Sequence, residues 1–257
     1  MQLDNISDSL KKYSYFIYGG DTNSIESGTC FFYREKNKLY LVTAAHTITG
    51  YDPIENRTVD NWPTTFYIRL FRSGETNFEF ISFDVSAILK SYTKTPFWDA
   101  PDLIILNATN LLKNHKIYSI ETFIINYPSK IDISHSEIFG FPVNDSVNDF
   151  DKYIRLPASK LEAATSYNFY KKIGWESYGN KIDTLNYRID NLNRLAKGGF
   201  SGSPVFLQIA QHPKIIFGGM TVSKTNEDQS VCVLRPQNII KAIKAGKIHR
   251  VKPISSQ

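Results

Sequence analysis

Residues 199–204 read Gly-Phe-Ser-Gly-Ser-Pro and run directly into Val205-Phe206-Leu207. A serine packed this closely among glycines, ahead of a strand, has the setting of a nucleophile whose attacked carbonyl must face backbone N–H groups. A serine hydroxyl is a poor nucleophile at neutral pH and needs a neighbouring base to take its proton. Gly/Ser/Pro clusters are also ordinary turns, so the hexapeptide carries weight only with partners elsewhere in the chain.

Two partners are present. Leu41-Val42-Thr43-Ala44-Ala45-His46 ends an apolar run in a histidine, and Pro101-Asp102-Leu103-Ile104-Ile105-Leu106 opens another with an aspartate. Histidine suits proton transfer because its ordinary pKa of about 6.5 lets it accept and return a proton. A buried carboxylate would set the imidazole tautomer and stabilise the imidazolium. His46 is the expected base, Asp102 the orienting acid and Ser201 the nucleophile. An isolated histidine would by default be a structural one, but the small residues of Thr-Ala-Ala-His leave room around the ring. Asp99 is a rival acid and Ser203 a rival nucleophile; Asp102 directly precedes the apolar run, and Ser201 has the better Gly-x-Ser-Gly surroundings. The backbone N–H groups of Gly199 and Ser201 are the expected oxyanion hole, worth roughly 10²–10³ in rate per donor. Gly199 is suited to the backbone conformation that this requires. His115, His135, His212 and His249 stand in polar surroundings and are expected to be solvated or structural.

The elements that must position these groups are strands. Fifteen Tyr and seventeen Phe favour β-structure, and short apolar runs broken by turn residues recur along the 257 residues. Strands are expected at 27–33, 39–43, 65–71, 78–85, 103–106, 138–141, 204–209, 214–222 and 230–234. Helical periodicity is clear only near the end, where Pro236 opens a pattern with Ile239, Ile240 and Ile243 on one face and Gly246 beyond. A second short helix is possible over 4–13. Residues 143–197 read as strands with long loops around Trp175.

Composition bounds the partners. The net charge of +5 is spread without a basic block or aromatic–basic repeat, so no nucleic acid is expected. No run approaches the roughly 18–20 apolar residues of a membrane span. The acidic, polar start lacks a leader pattern, and only two distant cysteines occur, Cys30 and Cys232. Both features point to the cytoplasm and to unbridged thiols. Two cysteines without paired histidines give no metal-site spacing.

Taken together, the three motifs resemble those of trypsin-like serine peptidases of the chymotrypsin fold, which share the order His, Asp, Ser. They are closer to bacterial intracellular or high-temperature-requirement-type members than to digestive ones. The resemblance covers roughly residues 20–245. Ile138-Phe139-Gly140-Phe141-Pro142 resembles the strand that opens the family's second barrel, and Phe217-Gly218-Gly219-Met220-Thr221 the strand lining its substrate channel. It implies an all-β fold of two six-stranded antiparallel β-barrels with a C-terminal α-helix. The implied division is an N-terminal segment 1–20, a first barrel 21–125 with His46 and Asp102, a second barrel 126–234 with Ser201, and a helix and tail 235–257.

The resemblance also implies a serine endopeptidase that cleaves a protein or peptide substrate through an acyl-enzyme, without metal or cofactor. Phe200 stands where zymogen-activated relatives carry an aspartate, which implies no activation by N-terminal cleavage. Thr47 stands where secreted relatives carry a cysteine whose usual partner matches Cys30. Leu195 stands where cleavage after Lys or Arg would need Asp, so Leu195, Thr221 and Val222 imply a small or apolar substrate residue. No peptide-binding domain is expected after the helix. The alternative is a peptidase-fold binding module, or a latent protease awaiting an activating protein partner. Restraint of the activity is expected to lie within 143–197.

Overall fold

Apolar runs separated by turns become strands almost wherever the sequence places them. The computed structural model describes residues 9–21, 24–53, 56–71, 78–95, 100–121, 133–141, 159–162, 184–188, 199–209, 215–225 and 230–254. Its first half holds β1 (Ser14–Asp21), β2 (Ser24–Glu35), β3 (Lys38–Thr43), helix α1 (Ala45–Thr49), β4 (Tyr51–Asp52), β5 (Arg57–Thr58), β6 (Thr65–Phe71), β7 (Phe78–Asp84), helix α2 (Ser86–Ser91), β8 (Ile104–Asn107) and β9 (Ile120–Glu121). The second half holds β10 (Ile133–Gly140), β11 (Ser159–Glu162), β12 (Thr184–Arg188), β13 (Pro204–Ile209), β14 (Ile215–Thr225), β15 (Ser230–Leu234), helix α3 (Pro236–Lys244), β16 (His249–Arg250) and β17 (Lys252–Pro253). Strands β6, β13 and β15 have the expected bounds, and β2 and β14 are longer than expected.

Two mainly antiparallel sheets carry the architecture. One has the order β16-β8-β3-β2-β1-β6-β7-β17, with β9 added beside β2; the other has the order β11-β10-β13-β14-β15-β12. In the first, the short β16 and β9 pair in parallel with β8 and β2. The second matches the expected six strands. The first has six longer strands and three short ones. Its two end strands belong to one continuous segment: β16 pairs with β8, and two residues later β17 pairs with β7. The C-terminal tail thus joins the two edges of the first sheet and covers backbone groups that would otherwise be open edges.

β1, α1, α2 and this tail were not expected from the sequence. β1 contains Gly19-Gly20, which lowers its strand propensity. The structure needs Gly19 there, because a Cβ would run into the Phe66 ring and Pro63. The first sheet therefore begins before residue 21. Of the expected helix over 4–13, residues 9–11 are helical and 1–8 lie outside the described residues. α3 starts with Pro236 in its first turn, buries Ile239 and Ile243, and is followed by Gly246 at φ +69°.

Side-chain alternation explains how the two halves join. In β2, Cys30 and Phe32 point into the core of the first sheet, while Phe31 and Tyr33 point into a second core. β3 divides Leu39 and Leu41 from Tyr40 and Val42 in the same way, and β8 divides Ile104 and Leu106 from Ile105. The second core also contains Phe139, Phe206, Phe217 and Met220 from the second sheet, with Ile239 and Ile243 of α3. Residues 30–33 of β2, 39–42 of β3 and 104–106 of β8 are therefore buried on both faces, which is why these stretches read as unbroken apolar runs. Cys30 and Cys232 are buried in different cores and are not bridged.

The tail is testable by truncation. Removing residues 249–257 deletes the β16 and β17 pairs and the Ile254 N–H bond to the Ser82 carbonyl. The loss should be about 2–4 kcal/mol, lowering the thermal midpoint by roughly 5–15 °C. A truncated protein that melts with the full chain would show that the tail does not close the sheet.

Candidate active site

The site starts with the β3–β8 ladder. Thr43 at the end of β3 faces Ile104 at the start of β8, so the residues just beyond this pair converge. These are His46, one step into α1, and Asp102, two residues before β8. His46 thus lies on a helix rather than at the strand end its apolar run indicates. α1 starts after Ala44, which has no side-chain oxygen to cap it. Asp102 supplies the missing acceptor: Oδ1 receives the His46 backbone N–H at 3.0 Å. Oδ2 lies 2.6 Å from His46 Nδ1. One carboxylate therefore fixes both the backbone and the ring of the histidine. Gly50 ends the helix at φ +65°, where a Cβ would enter the Trp62 ring.

Asp102 is 3% exposed, whereas the His46 side chain keeps 32% of its surface open. A carboxylate at Nδ1 selects the Nδ1–H tautomer and leaves Nε2 to exchange a proton. Burial is the largest influence on the ring and opposes its charged form. The negative charge and hydrogen bond of Asp102, with the charge of Asp52 on β4, together outweigh it, and the His46 pKa is raised.

The serine loop is clamped against β2 and the end of β3. Ser201 is half-buried, and its carbonyl accepts the Thr29 N–H of β2 at 3.1 Å. The Gly199 carbonyl accepts the Thr29 hydroxyl at 2.7 Å. Within the loop, Ser203 N–H closes a turn onto the Phe200 carbonyl, and Gly202 N–H reaches the Thr221 carbonyl of β14. Gly199 and Gly202 lie at φ +83° and +88°, where other residues are strained. A Cβ on Gly202 would fall on the Thr29 carbonyl and the Thr43 hydroxyl. Among the described residues, neither the Gly199 nor the Ser201 N–H is spent on a hydrogen bond.

Other expected residues are placed as follows. Ser203 is fully buried, with its Oγ against Gly140 and no partner among the described residues. Phe200 is also buried, its ring against Gly140, so an apolar contact occupies the position where the resemblance has an ion pair. Thr221 and Val222 are buried on β14, and Val222 belongs to the second core. Leu195, Asp99 and Trp175 lie outside the described residues, as does most of 143–197. His115 pairs with Glu79 at 3.2 Å, and burial lowers the His249 pKa. His212 lies outside the described residues, and His135 lies on β10. Sequence reasoning missed Thr29, whose only advance signal was its place between Gly28 and an apolar run.

No protein-family model matches the chain, and no curated protein matches it in sequence. Solved structures do match it. The Rv3671c protease of M. tuberculosis in its active form aligns with TM-score 0.54 and 14% identity, over 97% of this chain and 86% of that one. A thermostable serine protease, AL20, from an extremophilic microorganism gives 0.53 and 9%, over 92% and 97%. The serine endoprotease from Yersinia pestis gives 0.54 and 10%, over 95% and 66%. At such identities the likeness is one of fold: the chain has the all-β fold of trypsin-like serine peptidases.

The histidine–aspartate pair makes a direct prediction. The His46 imidazole should titrate above the ordinary value of about 6.5, and Asp102→Asn, which leaves burial in place, should move it down. Because the folded pKa is raised, the stabilisation is complete below about pH 6.5 and is lost as pH rises through the folded value. The stability gap between wild type and Asp102→Asn should therefore be wider at about pH 5.5 than at about pH 8.5. Histidine NMR titration and melting curves check this; a His46 that titrates lower in the wild type than in Asp102→Asn would contradict it.

Proposed function

We propose that this chain is a serine endopeptidase, with Ser201 as nucleophile, His46 as general base and Asp102 as the group that orients it. The observation that carries the reading is the His46–Asp102 pair at 2.6 Å; the half-buried serine stands in a loop hydrogen-bonded to β2, the neighbour of the strand that leads to His46. Attack of Ser201 Oγ on a peptide carbonyl passes the hydroxyl proton to His46 Nε2. The resulting imidazolium is stabilised by Asp102. Negative charge on the former carbonyl oxygen is received by the Gly199 and Ser201 N–H groups, which have no other acceptor among the described residues. Collapse breaks the C–N bond, and His46 returns its proton to the departing amine. An acyl ester remains on Ser201 and is hydrolysed by water through the same proton route. No metal or organic cofactor is required at any step.

The substrate is a protein or peptide, and a preference for a small or apolar residue at the cleavage site rests on Leu195 and Thr221, since the Val222 side chain is packed in the second core. An aspartate in place of Phe200 would need a cationic partner; the buried phenylalanine needs none, which fits a site that does not await a newly cut N-terminus. The two buried, unbridged thiols fit a reducing compartment such as the cytoplasm.

Cleavage of a peptide library, read by mass spectrometry, tests the assignment. Ser201→Ala should lower turnover by about 10⁶-fold while the protein melts normally. Equal cleavage by wild type and Ser201→Ala would remove Ser201 from the mechanism.

A further inference from the structure

We infer that Thr29 is a positioning residue that holds the oxyanion-binding loop in its working conformation, an inference that rests on the peptidase reading above. Thr29 is fully buried on β2 and spends every polar group it has. Its hydroxyl donates to the Gly199 carbonyl at 2.7 Å and accepts the Phe141 N–H at 2.9 Å. Its N–H donates to the Ser201 carbonyl at 3.1 Å, and its carbonyl accepts the Thr43 hydroxyl at 2.7 Å. One side chain therefore reaches the serine loop and the end of β10, while the backbone of the same residue reaches the nucleophile and the end of β3.

The two residues it grips in the loop are those whose N–H groups are assigned to the oxyanion. Gly199 stands at φ +83°. Its N–H is only two backbone torsions away from the carbonyl that Thr29 holds, so holding the carbonyl narrows the directions the N–H can take. Releasing the carbonyl frees a glycine, the residue least able to keep a conformation by itself. The hydroxyl can hold because its other contact is held in turn. Phe141 packs edge-on against Phe16 with ring centroids 5.8 Å apart, and the Arg69 guanidinium lies 5.2 Å from the Phe141 ring centre. Two residues earlier, the Phe139 carbonyl accepts the Ser14 hydroxyl of β1 at 2.9 Å. The hydroxyl of Thr29 thus ties the loop to a seam between the sheets, rather than to a surface turn.

A role in positioning differs from a role in packing by what it changes. Thr29→Val keeps the shape and removes the hydroxyl; Thr29→Ser keeps the hydroxyl and removes the methyl. Thr29→Val should lower kcat per titrated active site by about 10- to 100-fold, less than loss of an oxyanion donor outright, with KM within about twofold. Binding of a peptide boronic acid, whose tetrahedral adduct places an oxygen in the oxyanion hole, should weaken in step. The pH at which activity rises should not move, since His46 and Asp102 are untouched. Thr29→Ser should restore kcat to within about threefold of wild type. If valine is not accommodated, Thr29→Ala carries the same expectation.

Wild-type kcat and boronate affinity in Thr29→Val, or a fall in Thr29→Ser as deep as in Thr29→Val, would overturn the inference while leaving the peptidase reading intact. A wild-type protein with no titratable active site would overturn the peptidase reading, and this inference with it.

Discussion

Residues 30–33 of β2, 39–42 of β3 and 104–106 of β8 are buried on both faces, and the rest of the structure depends on that. One face fills the core of the first sheet, and the other faces the second sheet and α3. Strands in this position lack a solvated side on which to slip by one residue, because a slip would exchange two different apolar cores. The ladder that sets Thr43 opposite Ile104 is therefore strongly specified. His46 and Asp102 lie at the open ends of those two strands, and Thr29 lies on the third. The proposed catalytic groups thus extend from strands packed on both faces.

Asp102 shows how a short stretch can serve structure and chemistry together. A five-residue helix without a capping side chain of its own would be a weak support for the His46 ring. The carboxylate that caps its first turn is the one that binds Nδ1, so the helix and the imidazole are fixed by one group. The serine loop uses a related economy. Gly202 is held between the Thr29 carbonyl and the Thr43 hydroxyl in a space that admits no Cβ. That contact brings the loop against the backbone leading to His46.

Much of this was legible in the sequence, for a physical reason. Doubly buried strands must be continuously apolar, so the runs before His46 and after Asp102 were visible as runs, and their polar ends stood out. The Gly-x-Ser-Gly loop was visible because positive φ leaves glycine in the sequence. The helix carrying His46 was not visible, since its cap comes from Asp102, more than fifty residues away. β1 was hidden by glycines that serve close packing. Thr29 was hidden because a single threonine in an apolar strand resembles any β-branched residue; only its four partners distinguish it. The closing tail, with two-residue strands, has no periodicity to read.

Ser201 is the proposed reactive hydroxyl, in place of the fully buried Ser203 two residues away. Intact-mass measurement after treatment with a fluorophosphonate, followed by peptide mapping, tests that claim most directly. A single adduct per chain located on Ser201, abolished in Asp102→Asn at neutral pH or greatly slowed there, is the predicted result. An unmodified wild-type chain, or an adduct on Ser203, would contradict it.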